Sequence, residues 1–378
     1  MIYLDYSATT PIDEEVLDTF NKTSKKYWAN PNSMHKLGVE AKKLIDASTD
    51  QIASILGVKS TEIIYTSGAS ESNNLAIIGI ADKYKNRGRH IITSDYEHSS
   101  IYGPIGYLQK NDFDVDFVKG NENGKITIES LKKLIRDDTI LISITAVNSE
   151  IGIVEDVEEI GKFIKENYPK IFFHVDITQA IGKIKINLEN IDLASFTAQK
   201  FFGFKGVGGL VKKEKIVIEP IIHGGKSTTV YRSGTPATQL IASMAKAIRL
   251  VNNDLDKHYE YVTKLNNKLR SELSKYDNVY INSPDDALPY ILNISVLKVK
   301  PEVMQHALEM YDVYVSTQTA CSNSSAMSPG VFALTNDQER AKSSIRISLS
   351  YKTTEEEVDE FLKIFDKCYN KLTSIKDN

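Results

Sequence analysis

One lysine has the sequence setting of a residue that forms a Schiff base. Lys200 follows the apolar run 191–196, precedes the glycine-rich stretch 203–209 and lies 24 positions (200 − 176) after Asp176. An amine, an upstream carboxylate and a segment able to bind phosphate are the parts needed to hold pyridoxal phosphate. The alternative is a solvated surface lysine, since the chain has 46 Lys and Arg residues. The residues described next favour chemistry on an amino acid.

Two further segments could contact such a cofactor. Gly68, Ala69 and Ser70 follow a predicted strand and open an apolar helical run. The free N–H groups of a helix N-terminus there could bind phosphate, although a simple Ser or Thr helix cap is the alternative. His98 follows another predicted strand, where an imidazole could stack on a cofactor ring and move protons. A surface or core histidine is the alternative.

Two polar residues follow one apolar strand. Asp176 ends the run 172–176, a position where a carboxylate is costly unless it is paired. A protonated pyridine nitrogen would be a suitable partner, and a helix-capping role is the alternative. Gln179 could hydrogen-bond the phenolic oxygen of the cofactor, or cap the local backbone.

The C-terminal third of the chain holds candidates for substrate chemistry. Cys321 lies in the small, polar run 316–329, which is typical of an accessible loop with a reactive thiol. Cys368 lies in a predicted amphipathic helix, where we expect a small buried hydrophobe. Arg346 lies in the alternating run 343–350. Its guanidinium could bind a substrate carboxylate, or form a structural salt bridge.

The elements around these residues predict an α/β fold. Short β-rich runs alternate with helical patterns, which is typical of βαβ units around a mostly parallel, seven-stranded sheet. The predicted strands are 63–66, 90–93, 115–118, 140–145, 172–176, 193–196 and 209–211. A smaller α+β domain follows, with helices predicted at 255–273 and 354–372 and strands at 279–281 and 290–296. We expect a large cofactor-binding domain at 14–255 and a small domain at 1–13 and 256–378.

The length, net charge, apolar runs and cysteine count of the chain exclude some classes of protein. A chain of 378 residues exceeds the size of a single core, so two domains are expected. The net charge of −4 gives no electrostatic case for nucleic-acid binding. No apolar run is long enough for a membrane span, and the N-terminus lacks a signal-peptide pattern, so we expect a cytoplasmic protein. Two cysteines imply no disulfide framework and no metal cluster.

Taken together, these residues give the chain a resemblance to a known family. It resembles the cysteine desulfurases, which belong to the class V aminotransferase family and to fold type I of the pyridoxal-phosphate enzymes. The resemblance covers nearly the whole length. The segments that carry it are YLDYSATTP (3–11), NPNS (30–33), TSGASESNNL (66–75), EH (97–98), NSEIG (148–152), HVDITQ (174–179), RSGT (232–235), AC (320–321) and SIR (344–346).

The resemblance implies a homodimer that uses pyridoxal phosphate on L-cysteine. Lys200 would bind the cofactor as a Schiff base, Asp176 would pair with the pyridinium nitrogen, and His98 would stack on the ring. Gln179 would approach the phenolic oxygen. The implied phosphate ligands are Ala69, Ser70 and Thr197, with Thr235 from the partner subunit. The other positions of the implied cofactor site are Ser149 and Gln199.

The resemblance also implies the course of the reaction. Arg346, with Asn30, would bind the carboxylate of L-cysteine. Cys321 would take the sulfur as a persulfide while alanine is released. The long loop resembles the branch of the family in which the cysteine moves from the active site to an acceptor. That acceptor would be an iron–sulfur scaffold or a tRNA-thiolation enzyme.

The chain departs from the family pattern at several positions. Ser149 replaces a usual Asn, Gln199 replaces a usual His, and Phe204 replaces a usual Pro. Lys226 stands where Gly or Gln is common, and could restore positive charge near the phosphate. Two other functions therefore stay open: a selenocysteine lyase or another class V lyase or aminotransferase, and a catalytically weakened member that acts as a scaffold.

The Gln199 departure generates a first prediction. A glutamine can donate a hydrogen bond to phosphate but cannot become cationic as histidine can. We therefore expect Gln199→His to tighten pyridoxal-phosphate binding several-fold, about the effect of one charge-assisted hydrogen bond of ~1 kcal/mol. Titration of the apoprotein with the cofactor, together with turnover on L-cysteine, measures the effect. Unchanged affinity and turnover would show that the departure has no cost.

Overall fold

A seven-stranded sheet forms the centre of the protein. The computed structural model describes residues 1–317 and 327–374. A short N-terminal strand, β1 (Ile2–Tyr3), lies outside this sheet. The strands of the sheet are, in chain order, β2 (Ile63–Thr66), β3 (His90–Ser94), β4 (Asp114–Val118), β5 (Thr139–Thr145), β6 (Phe172–Asp176), β7 (Leu193–Thr197) and β8 (Gly208–Lys212).

The sheet is mostly parallel, as the sequence predicts. Its spatial order is β2, β8, β7, β6, β5, β3, β4. Strand β8 runs antiparallel to both of its neighbours, and the other adjacent pairs are parallel. The carboxyl ends of β3, β5, β6 and β7 therefore lie at one edge, which is where open α/β sheets bind ligands.

Helices cover both faces of the sheet. They are α1 (Glu14–Lys26), α2 (Lys36–Leu56), α3 (Ala69–Tyr84), α4 (Ser99–Gln109), α5 (Ile128–Lys132), α6 (Val157–Asn167) and α7 (Thr238–Asn252). Successive strand residues face opposite sides. Ile91 accordingly belongs to the core that includes α3 and α4 residues, whereas Ile92 belongs to the core that includes α2, α6 and α7 residues.

The C-terminal part builds a smaller antiparallel sheet. Its elements are α8 (Leu255–Leu273), β9 (Val279–Ile281), β10 (Ile291–Val296), α9 (Pro301–Glu309), β11 (Val313–Tyr314), β12 (Ser316–Thr317), α10 (Pro329–Thr335), α11 (Gln338–Lys342), β13 (Ser344–Ser348) and α12 (Glu355–Ser374). The sheet order is β12, β13, β10, β9. Strand β1 pairs in parallel with β11, and Asp5 forms a bridge to Ser348. The N-terminal residues therefore pack with the C-terminal ones, while the domain boundaries stay a prediction.

In the part of the chain that the structure describes, no helix combines the length and the apolar character needed to cross a membrane.

Close packing of two backbones generates a prediction about the fold. A Cβ added at Gly208 would lie 2.5 Å from the Phe196 carbonyl oxygen and 2.7 Å from the Gly68 Cα. Because both atoms belong to backbone, they cannot move aside cheaply. We expect Gly208→Ala to lower the free energy of unfolding by about 1–3 kcal/mol, measured by chemical denaturation. Gly103→Ala is the control, since that exposed helical position has open space and should be neutral or slightly stabilising.

Candidate active site

Lys200 is held at the end of β7 by residues 5–10, called here the N-terminal segment. One 3-10 turn, Ala198–Lys200, follows the wholly buried strand. The Lys200 Nζ donates hydrogen bonds to the carbonyl oxygens of Ser7 and Ala8, at 2.7 Å each. Thr10 binds the same turn, because its backbone N–H donates to the Gln199 carbonyl at 2.9 Å. The amine is therefore fixed at the carboxyl edge of the sheet by backbone contacts.

Asp176 is buried at the end of the neighbouring strand β6. Its Oδ2 accepts a hydrogen bond from the Asn73 Nδ2 at 2.9 Å, and its Oδ1 accepts one from the Thr178 backbone N–H at 2.9 Å. Asn73 lies in α3 and also donates to the Ser100 Oγ at 2.9 Å. A buried carboxylate with two donors can stay ionised and pair with a cation.

Gln179 is buried beside the Ser7 carbonyl. Its Nε2 donates to the Ser7 carbonyl at 2.9 Å, the same oxygen that accepts from Lys200. Its Oε1 accepts from the Lys183 Nζ at 3.0 Å. The carboxamide therefore lies next to the Lys200 amine.

His98 lies at the start of α4, at the same edge of the sheet. Its Nδ1 accepts a hydrogen bond from the Ser100 backbone N–H at 3.1 Å, which caps the helix. Burial lowers the pKa of His98, opposed by the Asp176 charge and reinforced by Lys200 and Arg346. His98 itself is exposed in the single chain, and the lowered pKa favours its neutral form.

The start of α3 forms a candidate phosphate site. Gly68 precedes the helix with a φ of +153°, a conformation that favours glycine. The first N–H groups of an α-helix have no intrahelical partner, so those of Ala69 and Ser70 are suited to an anion. The Thr197 Oγ1 would lie 3.5 Å from a Cβ added at Gly68. The structure therefore brings together the predicted phosphate ligands of β7 and α3.

In the glycine-rich stretch 203–209, the glycines allow close packing between strands rather than forming a phosphate-binding loop. Gly208 and Gly209 lie in β8, and a Cβ added at Gly209 would lie 2.5 Å from the Phe196 ring.

Thr235 lies exposed on the irregular segment before α7. That segment is tied to α3, because the Arg232 Nε donates to the Glu71 Oε1 at 2.8 Å.

Arg346 lies on β13 and is already paired. One amino group donates to the Asp5 Oδ1 and the other to the Ser149 carbonyl, both at 2.9 Å. The Arg346 Nε is buried and has no hydrogen-bond partner among the described residues. The guanidinium is therefore held in place, with a donor left for a ligand.

The remaining candidates are Asn30 and the two cysteines. Asn30 is exposed, and its Oδ1 accepts a hydrogen bond from the Asn32 backbone N–H at 2.9 Å. Cys321 lies outside the described residues. Cys368 is buried in α12, as predicted, where its Sγ contacts the Ala307 carbonyl at 3.4 Å.

Sequence reasoning missed two residues of the site. The sequence shows Asn73 as part of the motif 66–75 but gives no sign of its partner. Its hydrogen bond to Asp176 depends on the packing of α3 on the sheet. Glu97 is buried next to His98, where its Oε1 accepts from the Ser94 Oγ at 2.6 Å and the Thr145 N–H at 2.9 Å. A carboxylate directly after a predicted strand was the available signal.

The donors at this edge fit pyridoxal phosphate. A lysine amine, a buried carboxylate and a helix N-terminus match the aldehyde, the pyridinium nitrogen and the phosphate. The buried Asn73 Oδ1 lacks a hydrogen-bond partner among the described residues, which leaves polar capacity beside Asp176. The observed chemistry of the donors therefore agrees with the cofactor that the sequence predicts.

Comparison with known proteins gives a family match over most of the chain. The model of the Aminotransferase class-V family matches residues 2–361. A cysteine desulfurase IscS of Dictyoglomus turgidum is 39% identical over 379 residues, which cover 99% of this chain and 96% of that protein. A NifS/IcsS protein homolog of Lactobacillus delbrueckii is 37% identical and is covered to 99%, as is this chain.

Solved structures agree with these matches. A NifS-like protein superposes with a TM-score of 0.92 at 35% identity, covering 98% of this chain and 99% of that one. SspA in complex with cysteine superposes with a TM-score of 0.82 at 30% identity, covering 94% of this chain and 100% of that one.

The buried acid beside His98 generates a prediction about stability. Burial raises the pKa of Glu97 from 4.5 to about 8, so the folded protein keeps a proton that the unfolded chain releases. The free energy of unfolding should therefore fall as pH rises from 4.5 to about 8, by up to about 1.4 kcal/mol per pH unit. Glu97→Gln should remove the Glu97 contribution and leave that of Glu155, whose pKa burial raises to about 7, so the fall in stability should become shallower, above all between pH 7 and 8. Denaturation of the apoprotein across that range measures the change. The exposed Glu122→Gln is the control, and an unchanged slope in Glu97→Gln would contradict the prediction.

Proposed function

This chain belongs to the aminotransferase class-V family, and we propose that it is a pyridoxal-phosphate-dependent cysteine desulfurase whose nucleophile is Cys321. The observation that carries the proposal is the placement of an amine and a buried carboxylate at the carboxyl ends of two neighbouring strands. Asp176 ends β6 and is bound by Asn73, while Lys200 follows β7 and is bound by the Ser7 and Ala8 carbonyls. An amine beside a buried carboxylate suits a cofactor that acts on amino acids.

The residues at the sheet edge would hold the cofactor. Lys200 would attach it covalently, Asp176 would pair with its ring nitrogen, and His98 would stack on its ring. When bound, pyridoxal phosphate supplies an electron sink for the bonds at the substrate Cα. Ala69, Ser70 and Thr197 support phosphate binding because they lie around the start of α3.

Gln179, Gln199 and Ser149 have distinct surroundings in this site. The Gln179 carboxamide can donate toward the phenolic oxygen, since its Nε2 lies beside the Lys200 amine. Gln199 immediately precedes that lysine and its carbonyl is bound by Thr10. Ser149 contributes its backbone carbonyl to Arg346, a contact that does not depend on which side chain stands at this position.

Arg346 would bind the carboxylate of L-cysteine. Its pairing with Asp5 keeps the guanidinium in one orientation and partly neutralised before substrate arrives. A bidentate carboxylate is a stronger partner than a single oxygen contact. We assign Asn30 to the same task only through the family resemblance, since its described contacts are local.

Lys200 and His98 would move the protons. The Lys200 amine is held near the site by the Ser7 and Ala8 carbonyls, and its free-base form would take the proton from the substrate Cα. The lowered pKa of His98 favours the neutral imidazole, which is the form that can accept a proton.

Cys321 would take the sulfur. Its thiolate attacks the sulfur of the bound cysteine, so that an S–S bond forms while the C–S bond breaks. The electron pair of the broken bond stays with the substrate carbon, which takes up a proton and leaves as alanine. The sulfur remains on Cys321 as a persulfide and passes to an acceptor protein, in iron–sulfur cluster assembly or tRNA thiolation.

We further propose a cytoplasmic homodimer. Thr235 is exposed in the single chain, on a segment where Val230 is 62% exposed. A second copy that covers this segment would bring Thr235 to the neighbouring phosphate site. The two cysteines of the chain suit a reducing compartment.

A single-turnover experiment tests the function. The pyridoxal-phosphate-loaded protein is incubated with L-cysteine, and alanine is assayed together with the intact mass and the peptide that holds Cys321. We expect alanine and one added sulfur on Cys321. Cys321→Ala should abolish the persulfide, whereas Cys368→Ala should keep it because that thiol is buried in α12.

Two other outcomes would contradict the proposal. A cofactor spectrum that responds to cysteine without persulfide formation would indicate another class V reaction, such as selenocysteine lyase activity. The absence of any cofactor absorbance after loading would favour a scaffold that has lost catalysis.

A further inference from the structure

Lys183 is a buried lysine without an acidic partner in the described part of the chain. Its residue is 7% exposed, and its Nζ donates to the Gln179 Oε1 at 3.0 Å. Burying an amine is costly unless a specific contact requires it. Burial, reinforced by the charge of Lys200, lowers the pKa of Lys183 from 10.5 to about 7. The side chain is therefore mostly a neutral donor in mildly alkaline solution.

A tight turn aims Lys183 at Gln179. The Lys183 backbone N–H donates to the Ala180 carbonyl at 3.0 Å. Gly182 has a φ of +72°, and a Cβ added there would lie 2.5 Å from a methyl carbon of Val251. Only glycine fits such a position without strain and collision. The turn therefore directs the lysine inward, back onto the side chain four residues before it.

The contacts of Gln179 permit one orientation of its carboxamide. The protonated Lys183 amine can only donate, to the Oε1, and the Ser7 carbonyl can only accept, from the Nε2. A flipped carboxamide would place its oxygen against the Ser7 carbonyl at any pH, and its N–H groups against the amine, which is unfavourable while that amine is protonated. Without Lys183, only the Ser7 contact would oppose the flip.

The fixed N–H groups lie beside the lysine that binds the cofactor. The Ser7 carbonyl accepts from both Gln179 and Lys200, at 2.9 and 2.7 Å. Lys183 and Lys200 also line the same small cavity, together with Tyr6 and Tyr290. Lys183 is thus linked to the Lys200 amine through two groups, the Gln179 carboxamide and the Ser7 carbonyl.

We propose that Lys183 is a positioning residue that holds the Gln179 carboxamide with its N–H groups directed at Ser7 and at the phenolic oxygen of the cofactor. The inference rests on the proposed function, in which Lys200 attaches pyridoxal phosphate. A donor to the phenolic oxygen stabilises its ionised form. Loss of that donor raises the pKa of the lysine-bound chromophore.

The test is a pH titration of the visible absorbance of the cofactor-loaded protein. Lys183→Met keeps the length and removes the donor. We expect it to raise the chromophore pKa by about one pH unit, which is a tenfold change in proton affinity. Lys183→Gln keeps a donor on a shorter side chain and should give a smaller rise. Lys185→Met is the matched control, since Lys185 is exposed and pairs with Asp256, and it should give none.

A double-mutant cycle shows whether Lys183 acts through Gln179. Gln179→Ala should raise the chromophore pKa as well, and Lys183→Met should add little in that background. An undiminished effect of Lys183→Met in the Gln179→Ala protein would indicate a direct charge effect and overturn the proposal. So would an unchanged chromophore pKa in either single variant, or a larger rise in Lys183→Gln than in Lys183→Met.

Cofactor binding gives a second readout that is independent of turnover. Titration of the apoproteins with pyridoxal phosphate should show weaker binding for Lys183→Met and unchanged binding for Lys185→Met. Equal affinities of the wild type and Lys183→Met would contradict the positioning role. A wild type that develops no visible absorbance with pyridoxal phosphate would overturn the proposed function itself, an outcome distinct from the failures above.

Discussion

The site depends on one carboxylate that is buried at the carboxyl end of the central strands. A charge in the protein interior must be compensated by donors or by a cation. Asn73 and Thr178 give Asp176 two hydrogen bonds, and its acidic neighbour Glu97 stays protonated because burial raises the pKa of Glu97 to about 8. Burial likewise lowers the pKa of His174 to about 4, so this histidine is neutral. Neither neighbour therefore adds a charge beside Asp176, and the two donors leave this carboxylate able to pair with a cation.

The N-terminal segment joins this carboxylate site to the substrate side. Asp5 pairs with Arg346, the Ser7 and Ala8 carbonyls accept from Lys200, and Thr10 binds the turn that holds the lysine. The same segment continues from β1, which pairs with β11. A change in the packing of the C-terminal part would therefore reach Lys200 through a few residues of backbone. Under the proposed function, this segment is a physical route between substrate binding and cofactor chemistry.

The two lysines near the proposed cofactor site are stabilised in different ways. Lys200 donates to the Ser7 and Ala8 carbonyls, whereas buried Lys183 donates to one amide oxygen among the described residues. Desolvation therefore lowers the pKa of Lys183 and keeps a second full charge away from Lys200 over much of the neutral and alkaline range. The site thereby gains a hydrogen-bond donor without a permanent positive charge.

The sequence by itself predicted the seven-stranded sheet, the family and the candidate catalytic residues in local motifs. Apolar runs and helical patterns in a sequence reflect which side chains each element buries. For this reason β6 and α8 have the bounds that the sequence predicts. Only the tertiary structure decided which groups meet. The contacts of Lys200 with Ser7, of Asp176 with Asn73 and of Arg346 with Asp5 join residues more than one hundred positions apart. Such contacts depend on strand order and on the burial of each polar atom, which local patterns do not specify.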